Sequence, residues 1–370
     1  MKKFFTFIML LFCVDCYAAD RIFQLNPYLQ DAATAWAGVL GGFGAGGEIA
    51  RHMRTARNDD LLAFGNMVSV IAYNDTSMMM HTAIQHTDMA YSPLTDAVFS
   101  RGGANRNIVL DGGLLGAMAD YDSNSNSDFK TRTTGATVRA RGYVTDGFSL
   151  GIGYARTTTE TRDTLVDTDA TTNSITAFAQ YLSPGGFFVG TGLNAGRITW
   201  KNDKSVAGVI DDSAYNTDFY SGQFITGVQI GRNRIMVTPH AGVRYLRMTS
   251  DSYIDAAAQN FEKWFYGALT TTAGVRAAMN FTAGGLYIRP EIMVGGGYDV
   301  ISNGTSELGV RVASGAIYDM PVSHPGRTLL NAGAGISVGL SWGQISARYR
   351  MDSRSDYMSH TGMVDLKFVF

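Results

Sequence analysis

Eight basic residues, Arg139, Arg141, Arg244, Arg276, Arg289, Arg348, Arg350 and Lys367, sit in segments where apolar and polar residues alternate. Residues two apart share one face of an extended strand, and in each segment the base falls on the face opposite the apolar set. Glu291, Asp365 and Asp352 fall on that same polar face, so the face is expected to be net basic. Such a wall has three chemical uses. It can hold a peptide segment through carboxylates such as Asp88 and Asp96 and through helix C-terminal carbonyls. It can favour anionic solutes, as rings of Arg or Lys do in anion pores. It can also brace itself through ion pairs, and bracing is the preferred reading.

Hydrolytic chemistry requires a nucleophile, a base or a paired carboxylate. His240 lies in the middle of an alternating segment, His360 lies near a polar connection, and Asp211-Asp212 is an adjacent acidic pair in a long loop. No motif surrounds any of them, and the G-x-S-x-G elbow is absent. His81 and His86 are five apart, whereas metal-binding pairs on one helical face prefer four. Gly42-Phe-Gly44-Ala-Gly46-Gly47 fits G-x-G-x-x-G, but no βαβ unit frames it, so it reads as a flexible small-residue segment. The two cysteines, Cys13 and Cys16, both fall in the first nineteen residues. The chain is expected to be non-enzymatic, with no cofactor and no metal.

What must position the basic face is a set of strands. Period-two segments occur at about Leu114–Tyr121, Thr134–Val144, Phe148–Arg156, Ser174–Leu182, Gly186–Trp200 and Phe219–Gly231. Six more lie at Arg234–Thr249, Gly267–Phe281, Leu286–Asp299, Leu329–Ser341, Gly343–Asp352 and Thr361–Phe370. Short turns (Thr145 to Gly147, Ser183 to Gly185, Arg232-Asn233, Thr282 to Gly285, around Trp342) alternate with longer polar connections. The long ones are Thr157–Asn173, Lys201–Asp218, Ser250–Tyr266 and Val300–Thr328, and the shorter ones Asp122–Thr133 and Ser353–His360. That alternation is the pattern of periplasmic turns and extracellular loops. Within the longest loop, Leu308 to Tyr318 is expected to fold back as a strand-like excursion.

The faces distinguish a membrane barrel from a soluble sandwich. The centre of each apolar face is free of charge, as expected where Lys or Arg at the midplane costs about 2–4 kcal/mol. Only 17% of residues are charged, while 43 are Gly, 18 Tyr and 20 Phe. The mature chain has no apolar run of the length a membrane helix needs. The net charge of −2 gives no case for a nucleic-acid partner. The final stretch places Val364, Leu366, Phe368 and Phe370 on one face, ending on an aromatic that suits an interfacial girdle.

Upstream, Met1 to Ala19 reads as a secretory signal: Lys2 and Lys3, an apolar core from Phe4 to Val14, and small residues at Ala18 and Ala19. Cleavage after Ala19 leaves a mature chain without thiols. Thr76–Ala90 reads as a helix, with Asn74 or Asp75 as N-cap and Ser92-Pro93 as its stop. Pro93 begins a second short helix to Phe99. The division is therefore 1–19 signal, 20–106 N-terminal segment, 107–370 barrel.

At this point the residues resemble a family, the autotransporter β-domain of type V secretion. Gly135 to Tyr154 is similar to its Gly-rich second and third strands, and Asn173 to Tyr181 to its fourth. Ile235 to Tyr245 with Pro239, and Tyr287 to Tyr298 with Pro290, resemble its P-x-x-x-x-x-Y strands. Ile345 to Tyr349 followed by Gly362 to Phe370 resembles the closing pair. The resemblance implies a 12-stranded antiparallel transmembrane barrel in a Gram-negative outer membrane, with a helix threading the lumen. It also implies outer-membrane lipid, the barrel-assembly machinery (which reads the C-terminal aromatic) and periplasmic chaperones as partners. The departure is the passenger: fewer than ninety residues precede the barrel, without a β-solenoid repeat. Translocation or display of a short segment is the resulting expectation. A passive pore for small anionic solutes, and an adhesin acting through Ser250–Tyr266 and Val300–Thr328, are the alternatives.

Overall fold

The computed structural model describes residues 79–87, 90, 108–121, 129–162, 166–206, 209–211, 213–232, 234–254, 260–283, 286–311, 317–321, 324–340, 342–355 and 357–370. The signal segment, the glycine run at 42–47, the expected helix at 93–99, Asp88, Asp96 and Asp212 lie outside these residues.

Twelve long strands form the wall: β1 (Ile108–Tyr121), β2 (Phe129–Tyr143), β3 (Phe148–Arg162), β4 (Val166–Leu182), β5 (Phe187–Val206) and β6 (Ala214–Val228), then β7 (Ile235–Ser250), β8 (Trp264–Met279), β9 (Leu286–Gly304), β10 (Thr328–Leu340), β11 (Gly343–Arg354) and β12 (Tyr357–Val369). Each pairs antiparallel with its sequence neighbours, and β12 pairs with β1 from Val109↔Val369 to Tyr121↔Tyr357. The sheet closes on itself, which leaves the wall no edge strand and pairs its backbone groups between strands without water.

Alternation fixes which side faces lipid. On β12 the outward set is Val364, Leu366 and Phe368, with Phe370 beyond it, while Asp365 is buried inside. Around the ring Leu114, Val138, Ile152, Ile175, Leu193, Ile292 and Leu330 are all highly exposed. Large apolar side chains this exposed are stable only against lipid tails. Where Val300 and Ile301 both face outward, the β8–β9 register slips by one residue at Leu269/Thr270, a bulge that restores the dyad beyond it.

The two strand-interior prolines sit where the ladder is already broken. β6 breaks after Val228 and pairing resumes at Ile230–Arg232, so Pro239 has no rung to lose on that side. β8 likewise breaks after Met279, opposite Pro290, and resumes at Phe281–Ala283. A residue without an N–H is tolerated in a strand at such breaks.

The structure revises four expectations. β3 and β4, and β5 and β6, continue as paired strands through most of 157–173 and 201–218, which the sequence assigns to loops. Thr157 to Thr161 is polar on both faces, so hydropathy alternation vanishes, but β-branched Thr still favours an extended backbone. β1 begins at Ile108, six residues before the expected start. Asp211 lies in a short strand, Val209–Asp211, that pairs with the end of β5. The fold-back in the longest loop is present: Glu307–Arg311 pairs with Ile317–Pro321, and with Asn260–Phe261 and Tyr253–Ile254 makes a four-stranded sheet separate from the wall.

Candidate functional site: a helix held in a charged lumen

The barrel has two unlike mouths. Ile108, Phe370 and the tight turns at 144–147 and 183–186 lie at one, the long strand extensions and the small sheet at the other. Phe370 N–H donates to the Ile108 carbonyl at 3.0 Å, joining the strand ends at the turn mouth. There Trp342 stacks on Phe368, with centroids 5.2 Å apart.

Helix α1 (residues 79–87) stands inside the loop half of the lumen. A helix in water buries one stripe, but here Met79, Met80, His81, Thr82, Ala83, Ile84, His86 and Thr87 are all buried. The helix is surrounded, and its polar side chains must find partners on the wall. His86 Nδ1 lies 3.0 Å from Thr157 Oγ1 of β3 and its Nε2 2.6 Å from Ser174 Oγ of β4. Gln85 Nε2 donates to Tyr357 Oη at 2.7 Å and Ser359 Oγ at 3.2 Å, and its Oε1 accepts from Thr133 Oγ1 at 3.2 Å. His81 is held by rings, stacked on Tyr357 and edge-on to Tyr121 at 4.4 Å each.

These contacts give the helix a direction. His81 meets Tyr121 and Tyr357, the loop-end residues of β1 and β12. One turn later Gln85 reaches Ser359, and Thr133, which pairs with Ala117, well inside the strands. The N-terminal end of α1 therefore points to the loop mouth and its C-terminal end inward. Gln85 makes the two histidines' spacing intelligible: 81 and 85 face β12, β1 and β2, whereas 86 faces β3 and β4.

Below α1 the lumen is lined by His240, Arg244, Arg276, Glu291, Arg348 and Arg350. Arg139, Arg141, Arg244, Arg276 and Arg289 are buried, and Arg348, Arg350 and Lys367 are half-buried on the same inward faces. Arg139, Arg276, Arg348 and Arg350 are tied in ion pairs. Arg139 on β2 grips Asp111 on β1 through Nε and Asp365 on β12 through Nη2, the latter at 2.9 Å. Asp365 is also held by Arg348 of β11. Arg350 holds Asp352 at 2.7 Å, Arg276 lies 3.8 Å from Glu291, and Arg354 Nη1 is 2.8 Å from Asp299. Arg141 lies over the Phe178 ring at 5.4 Å.

Three members of this network were missed in the sequence. Asp111 precedes the expected start of β1, Asp299 closes an expected strand, and Arg354 follows one. The inward parity of Asp111 and Arg354 was available only once their strands were lengthened, whereas Asp299 shares the parity of Arg289 and Glu291 within the expected strand. The lumen is consequently nearer to neutral than its eight bases alone imply. His360 faces outward, 2.6 Å from Tyr349 Oη, and His240 bonds the Thr238 carbonyl at 3.2 Å. Among the described residues no group of three or more His, Cys, Asp or Glu could hold a metal. Nor is any helix there long and apolar enough to cross a membrane.

Comparison with known proteins agrees with this geometry. Residues 112–352 match the autotransporter β-domain family. Outer membrane protein A of Rickettsia conorii is 23% identical over 278 residues, 70% of this chain but only 14% of that protein's length. The translocator domain of autotransporter NalP from Neisseria meningitidis superposes with a TM-score of 0.64 at 15% identity, covering 79% of this chain and 97% of that one. The transport unit of AIDA-I from Escherichia coli gives 0.54 at 15% identity, covering 77% and 98%. With the ring closed at twelve strands and the family matched across most of it, the chain belongs to the autotransporter β-domain family, a barrel of the Gram-negative outer membrane.

Proposed function

We propose that this barrel carries the residues preceding α1 across the outer membrane and displays them at the cell surface. The observation behind the proposal is the seat and direction of α1. Its N-terminal end faces the loop mouth, which is extracellular where short turns are periplasmic, and the chain beyond it must return to Ile108 at the opposite mouth. A polypeptide threaded this way has its N-terminal part outside. In this reading the chain divides into a signal at 1–19, a carried segment with its lumen helix at 20–106, and the barrel at 107–370.

In this reading the inward bases brace the wall. Four of them, Arg139, Arg276, Arg348 and Arg350, already face a carboxylate, and a helix in the lumen opposes use as an open anion channel. Val364, Leu366, Phe368 and Phe370 form the signal read by the barrel-assembly machinery, to which periplasmic chaperones deliver the unfolded chain. The barrel acts as conduit and scaffold without chemistry of its own.

The test is topology in intact cells. With an epitope placed between residues 21 and 78, external protease should remove the epitope while leaving the barrel whole. Protection in intact cells, with cleavage only after the outer membrane is permeabilised, would refute display.

A further inference from the structure

The lipid-facing surface changes abruptly at its outer rim. On β3 the outward residues run Phe148, Leu150, Ile152 and Tyr154 before the first charge, Arg156. On β5 they run Phe187, Val189, Thr191, Leu193 and Ala195 before Arg197. Between them β4 presents Tyr181, Ala179, Ala177 and Ile175, then Asn173. Register puts Arg156, Asn173 and Arg197 in one row across three adjacent strands, immediately outward of the row Tyr154, Ile175 and Ala195. Strands are about 4.8 Å apart, so the two arginine backbones stand about 10 Å apart with Asn173 between them.

The row is built to donate. Tyr154 Oη donates to Asn173 Oδ1 at 2.7 Å, which leaves the amide NH2 of Asn173 as a donor. Asp218 fixes the Arg197 guanidinium through Nε at 2.6 Å and Nη2 at 2.9 Å, orienting it and cancelling part of its charge. Arg156 is exposed and makes no ion pair among the described residues. Farther out, Glu160 and Asp169 join Arg132 and Lys201, so charge is mixed there and the cationic character is confined to the boundary row. The opposite side of the rim differs: the outward residues at the loop ends of β10, β11 and β12 are Thr328, Ser353 and Met358.

We propose that Arg156, Asn173 and Arg197 form a docking site for the phosphate of an outer-leaflet lipid headgroup. The site lies where an apolar band meets the first cations, the depth at which headgroups sit. Guanidinium forks match phosphate oxygens in geometry as well as in charge. Ile175 and Leu193, highly exposed just beneath, supply the surface on which that lipid's acyl chains lie.

The test uses the refolded full chain in detergent, with retained lipid counted by native mass spectrometry. The probes are a phosphorylated glycolipid, the same glycolipid dephosphorylated, and inorganic phosphate as competitor. The wild type should retain the phosphorylated form and not the other. Each cation near an anionic headgroup is worth roughly fivefold in binding, so Arg156→Ala should lose roughly fivefold and Arg156→Ala/Arg197→Ala up to roughly 25-fold. Lys130→Ala, farther out and paired with Asp120 at 3.3 Å, should match the wild type. Heat-modified gel mobility verifies that each variant is a folded barrel. Equal retention of the dephosphorylated lipid, or a loss below about threefold in the double variant, overturns the site. Full displacement by millimolar phosphate also overturns lipid docking, because it identifies a free anion as the ligand.

Discussion

Replacing Arg139 should open the barrel at its seam. Eleven of the twelve neighbouring strand pairs are also joined through the intervening chain, whereas β12 and β1 meet without one. Arg139 sits on β2 and reaches both sides of that junction, Asp111 on β1 and Asp365 on β12, with side chains only 6%, 4% and 10% exposed. The wall is shaped for this: a Cβ on Gly153 would lie 2.8 Å from Arg139 Cγ, and one on Gly113 would collide with the Asp365 carboxylate. Breaking a buried pair by removing one partner costs about 3–5 kcal/mol, because the other charge is left buried and alone. In Arg139→Ala that orphan is Asp111, since Asp365 keeps Arg348. The full 3–5 kcal/mol is expected. Asp111→Asn removes one charged hydrogen bond while Arg139 keeps Asp365, so about 1.5–3 kcal/mol is expected. Combining the two removes the orphan, and the double variant should recover at least about 1.5 kcal/mol relative to the sum of the singles. The assay is the urea midpoint of refolded protein followed by heat-modified gel mobility. A double variant additive within about 0.5 kcal/mol, the range for independent sites, would refute the clamp.

Other outcomes follow from the same coordinates. Val294→Arg, on the lipid face of β9, should lower stability by about 2–4 kcal/mol in bilayers, measured by the same denaturation. Deleting residues 79–87 should raise single-channel conductance in planar bilayers severalfold. His86→Ala, which loses two hydrogen bonds worth about 1 kcal/mol each, should produce intermittent opening rather than a permanent pore. Phe370→Ala should reduce the assembled barrel in cells, yet shift the refolded midpoint by less than about 1 kcal/mol, since a surface substitution away from buried networks changes little. Comparing membrane-inserted protein with in vitro stability separates an assembly signal from a structural contact.

How far the sequence could be read depends on which solvent each residue meets. Within the bilayer, one flank of every strand touches lipid and the other the lumen, and that contrast writes a period-two pattern. Strands such as Leu330 to Leu340 and Ile345 to Met351 were legible for this reason. Beyond the bilayer both flanks of β3 meet water or protein, so Thr157 to Thr161 carry no contrast even though their backbone pairs without interruption. Hydropathy therefore marks the thickness of the membrane, not the length of the strand.

The same limit hid part of the site. An inward carboxylate such as Asp111 is recognisable only through its parity, and parity needs a strand start that Asn107, Ile108 and Val109 do not announce. The helix behaved in the opposite way. Thr76–Ala90 was marked by local signals, a cap before it and Ser92-Pro93 after it, whereas its environment was invisible because a helix buried on every side has no stripe to detect. Once the wall is known, its composition becomes intelligible. Thr133, Thr157, Ser174 and Ser359 are small hydroxyls on inward positions, leaving room for a helix and supplying the partners that Gln85 and His86 require. A lumen meant only for water would gain nothing from short hydroxyls at those four places, and longer side chains there would exclude the helix. The hydroxyls in the loop half and the Arg139 clamp nearer the turn mouth are therefore two different devices: the first accommodates a polypeptide, and the second holds the ring closed beneath it.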